Sequence, residues 1–284
     1  MAVKDLSAPP SLGQLFAKAA LTGPLHRGGE ALPESVYTLH DRTIDRGHLA
    51  AYEQVCGFRV TDTLPATYLH VLAFPLSVAL MTERAFPFPL VGLVHVNNAI
   101  TVHRPVGADE SVSFDVRVAN LRAHAAGKQF DIFAQATIDG DVVWSGRSTY
   151  LRRGGGTGEA KDKPHADVPA PAGSAALVRV PDNIGRRYAA VSGDRNPIHL
   201  HGLSARAFGF PKAIAHGMWL KARTLAALEG RLPDAYTVDV AFKTPVFLPS
   251  SIAIDTAATD RGWAVDVRNA KSGKPHLSGS VLGE

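Results

Sequence analysis

Within residues 188–218, YAAVSGDRNPIHLHGLSARAFGFPKAIAHGM, side chains able to move protons lie close together: Asp194, His199, His201 and His216, with Asn196 between the first two. Asn196-Pro197 is a helix-start pair, the Asn capping and the Pro taking the first helical position, where its missing N–H costs nothing. A helix is expected from Pro197 to about Phe208, ending at Gly209 with Pro211 beyond it. His199 then stands third in the helix and Asp194 in the loop ahead of the cap, so both aim into one small volume at the helix mouth. The positive end of the helix dipole keeps the imidazole neutral and the carboxylate ionised. A carboxylate and a neutral imidazole sharing one water can add it to an activated alkene, or take it away.

Ala215-His216-Gly217-Met218 opens a second apolar helix, MWLKARTLAALEG. The first N–H groups of a helix are unpaired donors, so the Gly217 N–H suits a thioester carbonyl oxygen that gains charge as an enolate forms, and glycine permits close approach. Asp194, His199 and Asn196 form the expected catalytic set; Ser192, Gly193, His216 and Gly217 form the expected substrate-binding set. The plainer reading makes Asp194 and Asn196 mere turn and cap residues and His216 a packing side chain. A metal is not expected from His199, His201 and His216: a His-x-His at a helix start points its rings about 200° apart, and no Cys or further carboxylate completes a shell.

The elements that must position these residues occur twice. Tyr52-x-x-Val55-Cys56-Gly57 matches Tyr188-x-x-Val191-Ser192-Gly193; ITVHRPV at 100–106 matches VAFKTPV at 240–246; Trp144-Ser145-Gly146 matches Leu277-Ser278-Gly279. Tandem duplication explains all three. In each copy a long apolar helical segment precedes alternating strands with short connections, the pattern of an antiparallel meander. The implied α+β architecture is a helix wrapped by an antiparallel sheet, twice. Residues 154–174, GGGTGEAKDKPHADVPAPAGS, have no hydrophobic period and read as a linker between domains at 1–153 and 175–284.

Composition narrows the class. A chain of 284 residues that is 45% apolar and 20% charged buries a sizeable core. Its one cysteine, Cys56, excludes a disulfide framework and a four-thiolate zinc site and fits a reducing cytoplasm. The N-terminus lacks a secretory core, and the apolar run 64–81 is broken by His70 and Pro75, so a buried helix is expected there rather than a membrane span. A net charge of +4 without a basic run argues against nucleic acid and suits phosphate-bearing small molecules or an acidic carrier protein.

The run SGDRNPIH followed by AHGM resembles the MaoC-like, hydratase-2 group of hot-dog proteins, matching at Gly193, Asp194, Asn196, Pro197, Ile198 and His199. The likeness is full over residues 176–284 and degenerate over 33–150, as in double hot-dog members. The resemblance implies (R)-specific hydration of trans-2-enoyl thioesters, or dehydration of (3R)-hydroxyacyl thioesters, in fatty-acid metabolism. The thioester is carried by CoA or acyl carrier protein, Asp194 and His199 are the acid/base pair, and neither metal nor redox cofactor takes part. A monomer or homodimer is compatible with it. The competing readings are a hot-dog thioesterase and a non-catalytic acyl-thioester binding subunit.

The first copy reads Gly57-Phe58-Arg59-Val60-Thr61-Asp62-Thr63 where the second has its motif, and Pro65 follows too soon for a capped helix. That copy is expected to lack chemistry and to use the vacated space, beside the helix over 67–81, for the acyl tail, with Ala73 on its wall.

Overall fold

The computed structural model describes residues 2–22, 28–154 and 175–284; all but Gly154 of the expected linker lies outside them. The first half runs β1 (Ala2–Leu6), α1 (Leu12–Thr22), β2 (Ser35–Arg42), α2 (Arg46–Cys56), α3 (Ala66–Met81), β3 (Leu93–Val102), β4 (Val112–His124), β5 (Gly127–Ile138) and β6 (Asp141–Arg153). The second runs β7 (Ala176–Val180), α4 (Ile184–Ser192), α5 (Pro197–Leu200), α6 (Gly202–Ala207), α7 (Gly217–Ala226), β8 (Tyr236–Phe242), β9 (Ser250–Thr259), β10 (Gly262–Asn269) and β11 (Pro275–Gly283).

The duplication is visible in the pairing. The strand order is β1-β2-β4-β5-β6-β3-β8-β11-β10-β9-β7, so β2-β4-β5-β6-β3 is followed by its mirror order β8-β11-β10-β9-β7. Ile100 stands opposite Gly146 in the first half as Val240 stands opposite Gly279 in the second. Both Tyr-x-x-Val-small-Gly runs are helix C-termini, with Gly57 at φ 82° and Gly193 at φ 72°, the left-handed conformation that closes a helix.

Three expectations need correction. The two sheets are one: β3 and β8 pair antiparallel from Asn97↔Ala241 to Val102↔Tyr236, so the edge that each half would expose is covered by the other. The strands are not a simple meander, because β3 and β8 skip their sequence neighbours to pair with β6 and β11, and β1 lies parallel to β2. The helix expected over 197–208 is broken at His201, whose backbone is extended at φ −145°, ψ 149°. Carbonyls that should have bonded up the helix take other donors: Ile198 O accepts from Ile214 N and Leu200 O from Arg186 Nη1, both outside it, and Pro197 O accepts from the side chain of Ser204 rather than a backbone N–H.

α3 is apolar on all sides, and thirteen of its sixteen residues are buried, because it packs against β2 to β6. α7 is shorter and packs against α2 and α3. Its Trp219 Nε1 donates to Val55 O at 3.0 Å, and Lys221, wholly buried, donates to Asn98 O, Asn98 Oδ1 and Val238 O at 2.9, 2.6 and 3.1 Å. The core is continuous across both halves. Among the described residues no helix is long and apolar enough to cross a membrane.

Candidate active site

Two short turns of chain bring Asp194 and His199 together. Gly193 ends α4 in a left-handed turn, after which the Asp194 N–H donates to Ser192 Oγ at 3.2 Å and the Asn196 N–H to Asp194 Oδ1 at 3.1 Å. Asn196 caps α5, its Oδ1 accepting from Ile198 N at 3.4 Å. His199 is held from behind. A Cβ on Gly185 would stand 2.0 Å from the His199 carbonyl oxygen, so only glycine allows α4 to approach α5 this closely.

The histidine tautomers follow from their partners. His199 Nδ1 lies 2.8 Å from the Ile214 carbonyl, which can only accept, so Nδ1 carries the proton and Nε2 keeps a free lone pair. His216 Nε2 likewise donates to the Asp194 carbonyl at 3.0 Å, and its Nδ1 is buried without a partner. The two rings stack, with centroids 3.7 Å apart and planes 27° apart.

Burial lowers the pKa of His199, opposed by Asp194 and the Ile214 carbonyl, and lowers that of His216 well below the ordinary value, with His199 adding to the effect. Both rings are neutral near pH 7. Burial raises the Asp194 carboxyl, opposed by His199 and the Asn196 N–H; its side chain keeps 28% exposure, so it remains a carboxylate at neutral pH. A neutral imidazole beside a carboxylate is thus reached, with desolvation rather than the dipole of a long helix keeping His199 neutral, because α5 is a single turn.

These groups line the mouth of a cavity of about 330 Å³ together with Asn196, Ser192 and Gly217. Gly217 begins α7, so its N–H has no intrahelical acceptor. Phe242 packs on it: a Cβ there would sit 3.1 Å from the ring. Gly193, expected to meet substrate, is not on the cavity wall; its part is the left-handed turn, against which Leu12 of α1 packs. His201, one of the three histidines weighed and set aside as metal ligands, is exposed and does not belong to the cluster that converges here.

The cluster that does converge is Asp194, His199 and His216, with one potential ligand atom from each lying within 4.8 Å of the others. It differs from the three histidines weighed in the sequence, with Asp194 in place of His201. Stacked rings aim their in-plane lone pairs side by side rather than at one point, and one nitrogen of each ring is already committed to a carbonyl. The arrangement suits a shared water better than a metal.

The cavity continues into the first half, where His70, Val71, Phe74 and Met81 of α3, His95 of β3 and Tyr150 of β6 line it, and Phe16 of α1 closes one side. Ala73 is buried in the core instead of lining it. As the sequence suggested, no counterpart of α5 and α6 stands between α2 and α3. Sequence reasoning missed Phe16, Leu12, Gly185, His95 and Tyr150. The signal it had was His70, a polar residue interrupting an otherwise apolar run.

Residues 167–278 match the family model described as the MaoC like domain. The curated 3-hydroxyacyl-thioester dehydratase X of Mycobacterium tuberculosis is 38% identical over 280 residues, which is 98% of this chain and 100% of that protein. The crystal structure of HtdX from Mycobacterium tuberculosis superposes with a TM-score of 0.78 at 38% identity, covering 88% of this chain and 100% of that one. A MaoC-like dehydratase from Phytophthora capsici shares the fold at a TM-score of 0.71 and 17% identity, over 89% of this chain and 96% of that one. With the Asp-x-Asn-Pro-x-His turn, the duplicated sheet and a relative matched over nearly its whole length, the chain belongs to the MaoC-like dehydratase family and has the double hot-dog fold.

Proposed function

We propose that the protein catalyses the reversible dehydration of (3R)-hydroxyacyl thioesters to trans-2-enoyl thioesters, as a hydro-lyase of fatty-acid metabolism. The observation that carries this reading is the free Nε2 of His199 beside the Asp194 carboxylate, at the mouth of a largely apolar cavity. In the hydration direction the thioester carbonyl oxygen accepts from the Gly217 N–H, which stabilises the enolate. His199 Nε2 takes one proton from water as the oxygen attacks the β-carbon, the other stays on the product hydroxyl, and the imidazolium then gives its proton to the α-carbon, directly or relayed through Asp194, which restores the neutral imidazole and the carboxylate. In dehydration the hydroxyl leaves as water by the reverse path. His216 and Ser192 position the Asp194 loop through the bonds already described. The chain itself supplies the acid/base groups, and no metal or redox cofactor is assigned a step.

The second half, residues 175–284, is the catalytic domain, and the first, residues 1–153, houses the acyl tail. The substrate is carried on CoA or acyl carrier protein, and the protein works in the cytoplasm as a monomer or homodimer. Incubation with crotonyl, octenoyl and dodecenoyl CoA, followed by loss of the conjugated enoyl absorbance, tests the reading. Decay is expected, with water and proton reaching one face of the double bond because one helix mouth supplies both groups, and with the (3R) configuration that the family resemblance implies, read by chiral analysis. A flat trace on the CoA esters and on the matching carrier-protein esters overturns it. Release of free thiol without hydration would mark a thioesterase instead.

A further inference from the structure

The chemistry of Asp194 and His199 leaves a second set of polar groups unused on the first-half wall of the same cavity. His70, on α3, is only 9% exposed, lines the cavity and makes no hydrogen bond among the described residues. Its ring centroid lies 6.3 Å from that of His95, with the planes 19° apart. His95 stacks on Tyr150 at 4.7 Å, and its Nε2 is buried with no partner. Residue 75 is Pro, so the carbonyl of Val71, which lines the same wall, receives no donor from the next turn of the helix. Burial, with Lys221 adding to it, holds His70 down to about 3, and His95 also stays neutral. His70 therefore has one N–H to give and one lone pair to fill, while His95, which also bonds to the Asn97 backbone, leaves its Nε2 to be matched.

A plain hydrocarbon tail would cover these groups and leave them without partners, which is unfavourable for buried polar atoms. A hydroxyl both donates and accepts, and so can serve two neutral imidazoles at once. Position follows from Phe242: its ring lies against Gly217 on one side and 5.1 Å from the His95 ring on the other. The two histidines therefore stand about one aromatic ring away from the Gly217 N–H, on the α3 side, so a chain that runs from there toward α3 passes them beyond its reacting carbons.

We propose that this first-half wall binds a hydroxyl group carried on the acyl chain beyond the reacting carbons, with His70 and His95 reading it, so that the enzyme selects hydroxylated acyl thioesters over plain ones of equal length. The inference rests on the lyase reading of the cavity mouth and adds its substrate class. The test compares kcat/KM for trans-2-decenoyl CoA with that for decenoyl CoA esters bearing one hydroxyl, moved carbon by carbon along the chain. The wild type is expected to prefer at least one mid-chain hydroxyl isomer by about tenfold or more. His70→Leu and His95→Phe should bring that ratio to about one, while His70→Gln, which keeps a donor and an acceptor, should retain part of it.

A wild-type ratio near or below one for every isomer overturns the proposal, as does a ratio that His70→Leu and His95→Phe leave unmoved in folded protein. If no ester is turned over, the lyase reading fails on its own. The selectivity is then read by calorimetry, as the ratio of dissociation constants for the corresponding saturated hydroxyacyl and acyl CoA, under the same criteria.

Discussion

At the scale of single residues, near-isosteric changes separate chemistry from packing. Asp194→Asn and His199→Gln are each expected to lower turnover by about 10² to 10⁴ with melting behaviour close to wild type, because each removes a proton acceptor rather than volume. Retention of more than about a third of wild-type turnover would sink the assigned pair. The pH profile carries a second prediction. His199 titrates below its ordinary 6.5 and Asp194 above its ordinary 3.8, so kcat/KM should be level through pH 7 and fall only on the acid side of 6.5. An acid limb at or above neutrality, measured by initial rates in constant ionic strength, would contradict the neutral imidazole. The pair was legible in the sequence because Asp194, Asn196-Pro197 and His199 are local, and a cap fixes their relation. His216 was half legible: its place at a helix start could be read, but its stacking on His199 depends on a turn that brings 199 and 216 together. His95 and Tyr150 carried no such signal, since they reach the cavity from strands whose pairing has no local code.

At the scale of elements, the contact of α4 with α5 governs where the imidazole stands. Gly185→Ala should push the His199 backbone away, lowering kcat/KM by about 10²-fold, as about an ångström of misplacement can. An activity within about twofold of wild type would mean that α5 adjusts freely. α3 should set chain length. Val71→Phe, on the cavity wall, is expected to cut dodecenoyl CoA turnover far more than crotonyl CoA turnover, and equal losses on both would move the tail elsewhere. Ala73→Phe does not make that test, for Ala73 is 1% exposed in the core and a larger side chain there would overpack it at about 1 to 3 kcal/mol. The extents of α3 and α7 could be read from their apolar runs. The break at His201 could not, because it results from donors at Arg186, Ser204 and Ile214 that claim the carbonyls of the turn.

At the scale of the whole molecule, the seam between β3 and β8 joins the halves, and Lys221 fastens it. Its three acceptors include Asn98 on one side and Val238 on the other. Lys221→Ala strands those acceptors in a dry environment and should cost about 3 kcal/mol or more in urea unfolding. A loss below about 1 kcal/mol would show that the seam holds without it. The repeat itself was plain in the sequence, since each copy kept its Tyr-x-x-Val-small-Gly run and its Pro-Val strand end. The fusion of the sheets was not, because the partners Asn97 and Ala241 belong to different copies and each strand has the same alternation whether it ends a sheet or lies inside one. That fusion has a consequence for how such a protein can change over generations. In an assembly of identical subunits every substitution is made twice, and a mutation that enlarges a tail-binding hollow also reshapes the reacting centre related to it by symmetry. Once both copies lie on one covalent chain, a mutation falls on one of them alone: Phe58 can replace the acid of the first copy while Asp194 persists in the second, and the two are free to drift toward different tasks.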